Sequence, residues 1–224
     1  MTPLPRLTRR RAGLFALAAV QAAGLGTGLG VLSACGSILP KPPALPTLFT
    51  LDDGDATAPP AAPPPASATR PRTLLVSAPR AAPGFDTEHM VYVRRALQVE
   101  AFAQNQWVAP PAQMLAPLMV RALQRSGAFQ AVQMAPSATA SELRLDTDLI
   151  RLQQDFTASP SQVRVTLRAV LIDPATRRVL AWRELDRSVP APSDDPYGGV
   201  QAAHRAVREL MADLVLFCVK AMGN

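Results

Sequence analysis

Leu143-Arg144-Leu145-Asp146-Thr147-Asp148-Leu149 decides the fold, because apolar and polar side chains alternate through it without interruption. Side chains along a β-strand point to opposite faces in turn, so the pattern predicts a strand with one buried and one wet face. Ile150 and Leu152 then change the phase of the alternation, which indicates a β-bulge. We therefore expect a long, bent strand in a sheet that is covered on one face only.

Two more strands are predicted downstream of this stretch. Residues 163–171 alternate in the same way, and residues 179–189 return after the turn Asp173-Pro174-Ala175-Thr176. Strands joined by short turns pair antiparallel, so the three should form a meander with one charged face.

Shorter elements are predicted before the meander. Thr73 to Ser77 is an apolar run bounded by prolines, and residues 90–94 and 97–102 form a hairpin. Asn105-Gln106-Trp107 is expected to be a turn. Residues 47–51 and 129–134 are β-prone and complete the set of strands.

Two helices are predicted, one before and one after the meander in sequence order. The first opens at Pro110 or Pro111 and ends before Gly127, and Pro117 implies a kink or a later start. The second follows Gly198-Gly199, and its apolar residues recur at three- and four-residue steps. Both helices should pack on one face of the sheet. The fold class is therefore α/β (α+β), a single domain with a mostly antiparallel or mixed sheet.

A lipoprotein leader precedes this domain. Leu32, Ser33, Ala34 and Cys35 have the form of a bacterial lipobox, in which the signal peptide is cut before the cysteine. The chemistry needs a thiol at that point, because diacylglycerol is attached through a thioether. A basic start and an apolar run precede the motif, so residues 1–34 are interpreted as a lipoprotein signal peptide.

Two alternatives concern this leader. Ala12 to Leu32 would be long enough for an uncleaved transmembrane helix at ~20 residues, although its alternating glycines disfavour a helix. Thr8-Arg9-Arg10 leaves both Sec and twin-arginine export open.

Residues 35–46 are expected to form a proline-rich tether behind the lipidated cysteine. At ~3.1 Å per residue, such a spacer could hold a domain about 30 Å from a membrane. The folded domain would then cover residues 47–224, interrupted by a Pro/Ala-rich loop at residues 52–71 whose composition cannot order itself.

Charge and cysteine content limit the possible partners. The leader holds four arginines and no acids, so 190 residues with a formal net charge of +2 would remain after cleavage. The arginines are scattered among acids rather than forming a basic stripe, which argues against a nucleic-acid partner. If Cys35 carries lipid, Cys218 has no partner for an intrachain disulfide, and we expect it to be a buried small hydrophobe.

Motifs for catalysis or for a metal are missing from the sequence. It contains no HExxH, no zinc spacing, no G-x-S-x-G and no phosphate-binding glycine loop in the mature part. Asp52-Asp53 and Asp194-Asp195 are paired carboxylates in loops, where solvated acids are the ordinary case. Asp194-Asp195 also precedes the last helix, whose dipole favours negative charge at its start. We predict no enzyme activity, no metal and no cofactor other than the covalent lipid on Cys35.

Several segments together resemble a known family. They are Leu48-Phe49-Thr50-Leu51-Asp52, the run from Leu75 to Thr87, Trp107-Val108-Ala109-Pro110-Pro111, the run from Leu123 to Phe129, and Leu143-Arg144-Leu145-Asp146-Thr147. The combination resembles the ABC-type transport auxiliary lipoprotein family, which includes the PqiC-like lipoproteins. The sequence departs from the family at Ala101-Phe102, where more aromatic character is expected.

The resemblance implies a fold and a function. The fold would be similar to the anticodon-binding-like or TolB N-terminal arrangement. The protein would be a non-enzymatic, lipid-anchored periplasmic partner of an MCE-domain protein and its ABC transporter. Gly36 follows the lipidated cysteine and no Asp stands at that or the next position, which points to the outer membrane of a Gram-negative bacterium.

Our hypothesis is that a surface of the sheet domain captures the tip of the MCE assembly, and the charged face of the meander is one candidate for that surface. The candidate contact residues are Arg144, Arg151, Arg164 and Arg168. An ordinary solvated sheet face is the alternative reading of these residues. An outer-membrane assembly or export lipoprotein and a periplasmic lipid carrier are the alternative functions, and a homo-oligomer is possible.

Overall fold

The meander is present in the computed structural model, which describes residues 44–52 and 72–223. Strands β7 (Leu143–Asp155), β8 (Gln162–Asp173) and β9 (Arg178–Pro190) pair antiparallel in chain order. The pairing of β7 with β8 shifts register between Leu149 and Arg151, which confirms the predicted bulge.

The signal peptide, the lipobox residues Leu32, Ser33 and Ala34, and Cys35 lie outside the described residues. So do most of the tether and of the 52–71 loop.

The other strands are shorter and attach to the free edge of β7. Three of them pair with β7 in parallel, one after another along its length: β2 (Thr73–Val76), β3 (Arg80–Ala81) and β4 (His89–Arg95). The remaining three extend the sheet outward: β6 (Ala131–Met134) on β2, β5 (Gln98–Trp107) on β4, and β1 (Thr47–Phe49) on β5. The described chain thus contains one mixed, nine-stranded sheet.

Several predicted boundaries were wrong. Asn105-Gln106-Trp107 is not a turn but the end of β5, because β1 pairs with these three residues in parallel. The hairpin turn itself lies at Ala96 and Leu97, one residue later than predicted. Arg80 and Ala81, for which no strand was predicted, form the short strand β3 against β7.

The two helices are α1 (Pro111–Arg125) and α2 (Pro196–Met222). Pro111 occupies the first turn of α1, where the missing N–H costs nothing. Pro117 lies inside α1 with its side chain exposed, and the helix starts at Pro111, so the later start is wrong. Gly127 has φ +65° just after α1, as the predicted left-handed cap requires.

Both helices cover the same face of the sheet. Thr147 of β7 donates a hydrogen bond to Met119 Sδ of α1 at 3.7 Å. Arg187 of β9 donates to both carboxylate oxygens of Asp213 of α2 at 2.6 Å. The expected arrangement of a mixed sheet with two helices on one face is therefore confirmed.

The core lies between this face and the helices. Its fully buried aliphatic side chains come from β2, α1, β7, β8 and one side of α2, and they include Val76, Leu115, Leu123, Leu145, Leu149, Leu167, Leu171, Val207, Leu210 and Leu214. Cys218 of α2 is also buried, as predicted, and burial raises its thiol pKa to about 12. The thiol therefore stays protonated and unreactive at neutral pH.

Candidate functional site

The four candidate arginines lie together on the face of the meander that the helices leave uncovered. We call this the outer face; it carries the side chains opposite the core positions of β7, β8 and β9. Arg144 and Arg151 are seven residues apart on β7, and a regular strand would send them to opposite faces. The bulge between Leu149 and Arg151 restores a common face. The change of phase in the sequence thus places Arg144 and Arg151 on the same face of the sheet.

Arg164 holds the strongest ion pair of the outer face. Its Nε and Nη2 donate to Asp186 of β9 at 3.0 and 2.8 Å, and the Thr166 hydroxyl donates to the same carboxylate at 2.6 Å. The hydrogen bonds from Arg164 hold the pKa of Asp186 below its usual range, and those from Thr166 add to the effect. Asp186 therefore remains ionised at neutral pH.

Other arginines on the outer face are also paired. Arg168 lies 3.6 Å from Glu184 of β9, and Arg144 donates to Asp146 at 3.0 Å. Arg80 donates to Asp148 at 2.8 Å. The outer face is thus a field of alternating charges rather than a continuous positive surface. Exposed pairs of this kind add at most about 1 kcal/mol of stability each.

An apolar corner adjoins this charged field at the β8–β9 turn. Val170 pairs with Trp182, and Ile172 pairs with Val179, in the register of β8 and β9. Trp182 is 67% exposed and Val179 is 55% exposed. We call these four residues the Trp182 corner. An exposed tryptophan beside apolar neighbours and charges has the composition of a protein-binding surface.

Sequence reasoning missed the Trp182 corner, although the signal was present. Trp182 stands two and four residues before Glu184 and Asp186, so the two-residue period places it on the same wet face. The charged partners of Arg164 and Arg168 could have been found in the same way, by counting back from the β8–β9 turn.

The paired carboxylates before α2 have structural partners. Asp195 caps the helix and accepts from the Gly198 N–H at 2.7 Å, and Asp194 accepts from the Ser161 N–H at 2.7 Å. These backbone donors lower the pKa of both carboxyl groups. The negative charge at the start of α2 is as predicted. Of the other predicted pair, Asp52 lies 3.3 Å from Arg121, and Asp53 is outside the described residues.

A partly open pocket of about 260 Å³ lies between the sheet and the start of α2. Its walls are mainly apolar and include Phe102, Trp107 and Leu152. Gln154 also lines it; the side-chain nitrogen donates to the Ser161 hydroxyl at 2.9 Å, whereas the buried Oε1 has no hydrogen-bond partner. This volume includes space that is open to solvent, and even so it is below the ~300–1,000 Å³ usual for small-molecule sites.

Residues 44–52 and 72–223 lack both a metal-binding cluster and a membrane-spanning helix. They hold no group of three or more His, Cys, Asp or Glu side chains arranged to bind a metal ion. Neither helix there has both the length and the apolar character needed to cross a membrane.

Comparison with known proteins identifies the family of this chain. Residues 49–215 match the family described as ABC-type transport auxiliary lipoprotein component, which covers most of the chain. The chain belongs to this family. The ABC-type transport auxiliary lipoproteins are components of transport systems rather than known enzymes, and the resemblance noted in the sequence is therefore confirmed.

Solved structures agree on the fold of this auxiliary lipoprotein. Protein XCC0632 from Xanthomonas campestris, of the family DUF330, is 24% identical with a TM-score of 0.65, over 80% of this chain and 95% of that one. An uncharacterized protein is 14% identical with a TM-score of 0.58, over 77% of this chain and 98% of that one. No curated protein matches the sequence significantly. At these identities the structures show the fold alone.

Proposed function

We propose that the protein is a non-enzymatic docking component of an MCE-type intermembrane transport system. In this proposal, lipid on Cys35 holds the domain to the periplasmic side of the outer membrane. The outer face of the meander binds the MCE-domain protein that its ABC transporter serves. The cargo would be a lipid or another hydrophobic compound.

The observation that carries the proposal is the uncovered outer face itself. Strands of 12 and 13 residues present alternating charges there, with the Trp182 corner at one end. Alternating charges favour one register of a partner over others, because like charges meet in every wrong register. Burial of Trp182 and its apolar neighbours would supply the attraction.

Anchoring makes a modest affinity sufficient. A domain tethered to a membrane meets its partner within a small volume, which raises the effective concentration. The outer face therefore does not need the large apolar area of a permanent interface.

The first test is a crosslinked pull-down of the full lipoprotein from intact envelopes, with Cys35→Ala as the control. We expect an MCE-domain protein with the wild type and less of it without the anchor. Recovery of only an outer-membrane protein would favour the assembly-lipoprotein alternative instead.

The second test locates the surface. Arg164→Glu with Arg168→Glu should abolish partner capture while the domain stays folded. Arg208→Glu with Lys220→Glu makes the same change of charge on exposed positions of α2 and should leave capture intact. Equal capture by both double variants would show that the outer face is not the docking surface.

The lipid-carrier alternative has less support. The pocket beside Gln154, at about 260 Å³, is smaller than ordinary ligand sites. Solvent extraction and mass spectrometry of the purified protein would test it, because a carrier should retain bound lipid.

A further inference from the structure

The turn between β4 and β5 exposes a leucine in an unusual backbone conformation. Leu97 has φ +67° and its side chain is fully exposed, at 104% of the reference value. Val99, two residues on, is 62% exposed. We call Arg94, Arg95, Leu97 and Val99 the hairpin tip.

The left-handed backbone of Leu97 closes the tight turn at Ala96 and Leu97, but the turn does not require a leucine side chain there. A left-handed backbone costs a residue with a side chain roughly 1–2 kcal/mol, which glycine would avoid. The exposed side chain contributes nothing to the core. A leucine held in this way at the end of a hairpin is suited to contact with something outside the domain.

Arginines flank the exposed leucine. Arg94 and Arg95 are both exposed, and the Arg94 guanidinium lies 5.0 Å from the ring centre of Tyr92 and 5.8 Å from that of Phe156. The aromatic contacts hold this charge in place beside the turn.

The nearest acids lie further back along the strands and already accept hydrogen bonds. Glu100 accepts from the Tyr92 hydroxyl at 2.8 Å. Asp155 accepts from the Thr157 N–H and hydroxyl at 2.8 and 2.6 Å. The outermost part of the hairpin is therefore apolar and basic.

The direction of β1 relates the hairpin tip to the membrane anchor. β1 runs parallel to β5, with Thr47 opposite Asn105 and Phe49 opposite Trp107. The β5 strand runs away from the turn, so the chain must enter β1 from the side of the hairpin tip. A tether that continued in this direction would bring the lipidated residue toward the end of the domain that carries the tip.

The lengths also agree. Leu97 precedes Asn105 by eight residues, or about 26 Å of strand. Cys35 precedes Thr47 by twelve positions, which span at most about 40 Å when fully extended. A lipid on Cys35 is therefore within reach of the level at which the tip lies.

We infer that the hairpin tip contacts the phospholipid surface in which the lipid of Cys35 is embedded. Leu97 and Val99 enter the headgroup region, and Arg94 and Arg95 bind anionic phosphates. This inference rests on the proposed anchor, and it gives the anchored domain a defined orientation. The tip faces the bilayer, and the β8–β9 turn with the Trp182 corner faces away from it.

Fluorescence of the full lipidated protein in vesicles of phosphatidylethanolamine and phosphatidylglycerol tests the contact. Leu97→Cys carries an environment-sensitive dye, and Ala175→Cys in the β8–β9 turn is the matched control. The buried Cys218, with its pKa raised to about 12, does not compete for the label. We expect blue-shifted emission and quenching by brominated lipid at position 97 only. Arg94→Gln with Arg95→Gln should reduce that quenching at least twofold.

The possible outcomes distinguish failure of the proposed lipid anchor from failure of the proposed contact at the hairpin tip. Protein that floats with the vesicles while the dye at position 97 reports water would overturn the tip contact and leave the anchor standing. Protein that fails to float would overturn both. An emission shift that occurs only after the MCE-domain protein is added would replace the lipid contact by a protein contact.

Discussion

The two faces of the meander are made by alternate residues of the same three strands, yet they differ in polarity and in exposure to solvent. The inner face presents Leu145, Leu149 and Leu167, none of which is exposed to solvent. The outer face presents charged pairs whose arginines are 42–49% exposed.

This difference separates stability from recognition. Close packing of the inner face against α1 and α2 supplies most of the folding free energy, because burial of apolar area outweighs exposed ion pairs. The outer face can then change its charges with little effect on the fold. A protein whose task is to fit one partner gains from that freedom.

The largest expected effect comes from neighbouring residues of β8. Leu167→Ala should lower the free energy of unfolding by about 2–5 kcal/mol, because it leaves a cavity in a close-packed core. Arg168→Ala, one residue away on the outer face, should lower it by at most about 1 kcal/mol. Urea denaturation of both variants measures the contrast. Similar losses would mean that the outer face also carries the fold.

A smaller effect is expected where α2 meets the sheet. A Cβ at Gly199 would overlap Gln154 Oε1, and that side chain is held by Ser161 and by the Asp195 carbonyl. Gly199→Ala should therefore cost about 1–3 kcal/mol.

Gly223→Ala is the control for Gly199→Ala, since its Cβ would lie an ordinary 3.8 Å from the nearest atom, the Lys220 carbonyl oxygen. Thermal unfolding followed by circular dichroism compares the two. An unchanged midpoint in Gly199→Ala would show that Gln154 can move away at no cost.

The smallest expected effect is on the stability of the protein at acidic pH, through Asp194 and Asp195. Backbone donors depress the folded-state pKa of Asp194 and Asp195, so their contribution is present above the unfolded-state pKa of about 3.9. It is lost as the pH falls through the lower, folded-state pKa. Asp194→Asn with Asp195→Asn keeps a good capping residue but removes the charges. The variant should lose less stability than the wild type as the pH falls below about 3.9 and through the folded-state pKa of these two carboxyl groups. The prediction would be contradicted if the stability of the variant and that of the wild type fell by the same amount as the pH was lowered.

The sequence was sufficient for elements that depend on local pattern. The alternation at residues 143–149, the phase change at Ile150 and the helical spacing of α2 are properties of neighbouring residues, and all three are present. The pairing of β1 with β5 and of β3 with β7 depends on residues about 60 apart. No local pattern encodes such pairings, and the prediction of a turn at residues 105–107 was wrong for that reason.

Only part of the candidate site could be predicted from the sequence. The four arginines share a face because the period of a strand and one bulge put them there, and both were visible in the sequence. Their acidic partners on β9 and the exposure of Trp182 follow from the register of a neighbouring strand. The conformation of Leu97 could not be predicted, since leucine rarely occupies the left-handed region.

The position of β7 in the sheet has a consequence for how the protein matures. β2, β3 and the β4–β5 hairpin do not pair with one another; each is held through β7, which begins about 70 residues after β2. A chain that emerges N-terminus first from the ribosome therefore exposes open strand edges until Asp155 has followed. Such delayed closure makes folding slow and leaves the nascent chain prone to aggregation. We expect this lipoprotein to depend on holding chaperones before it folds more than a protein whose hairpins close locally.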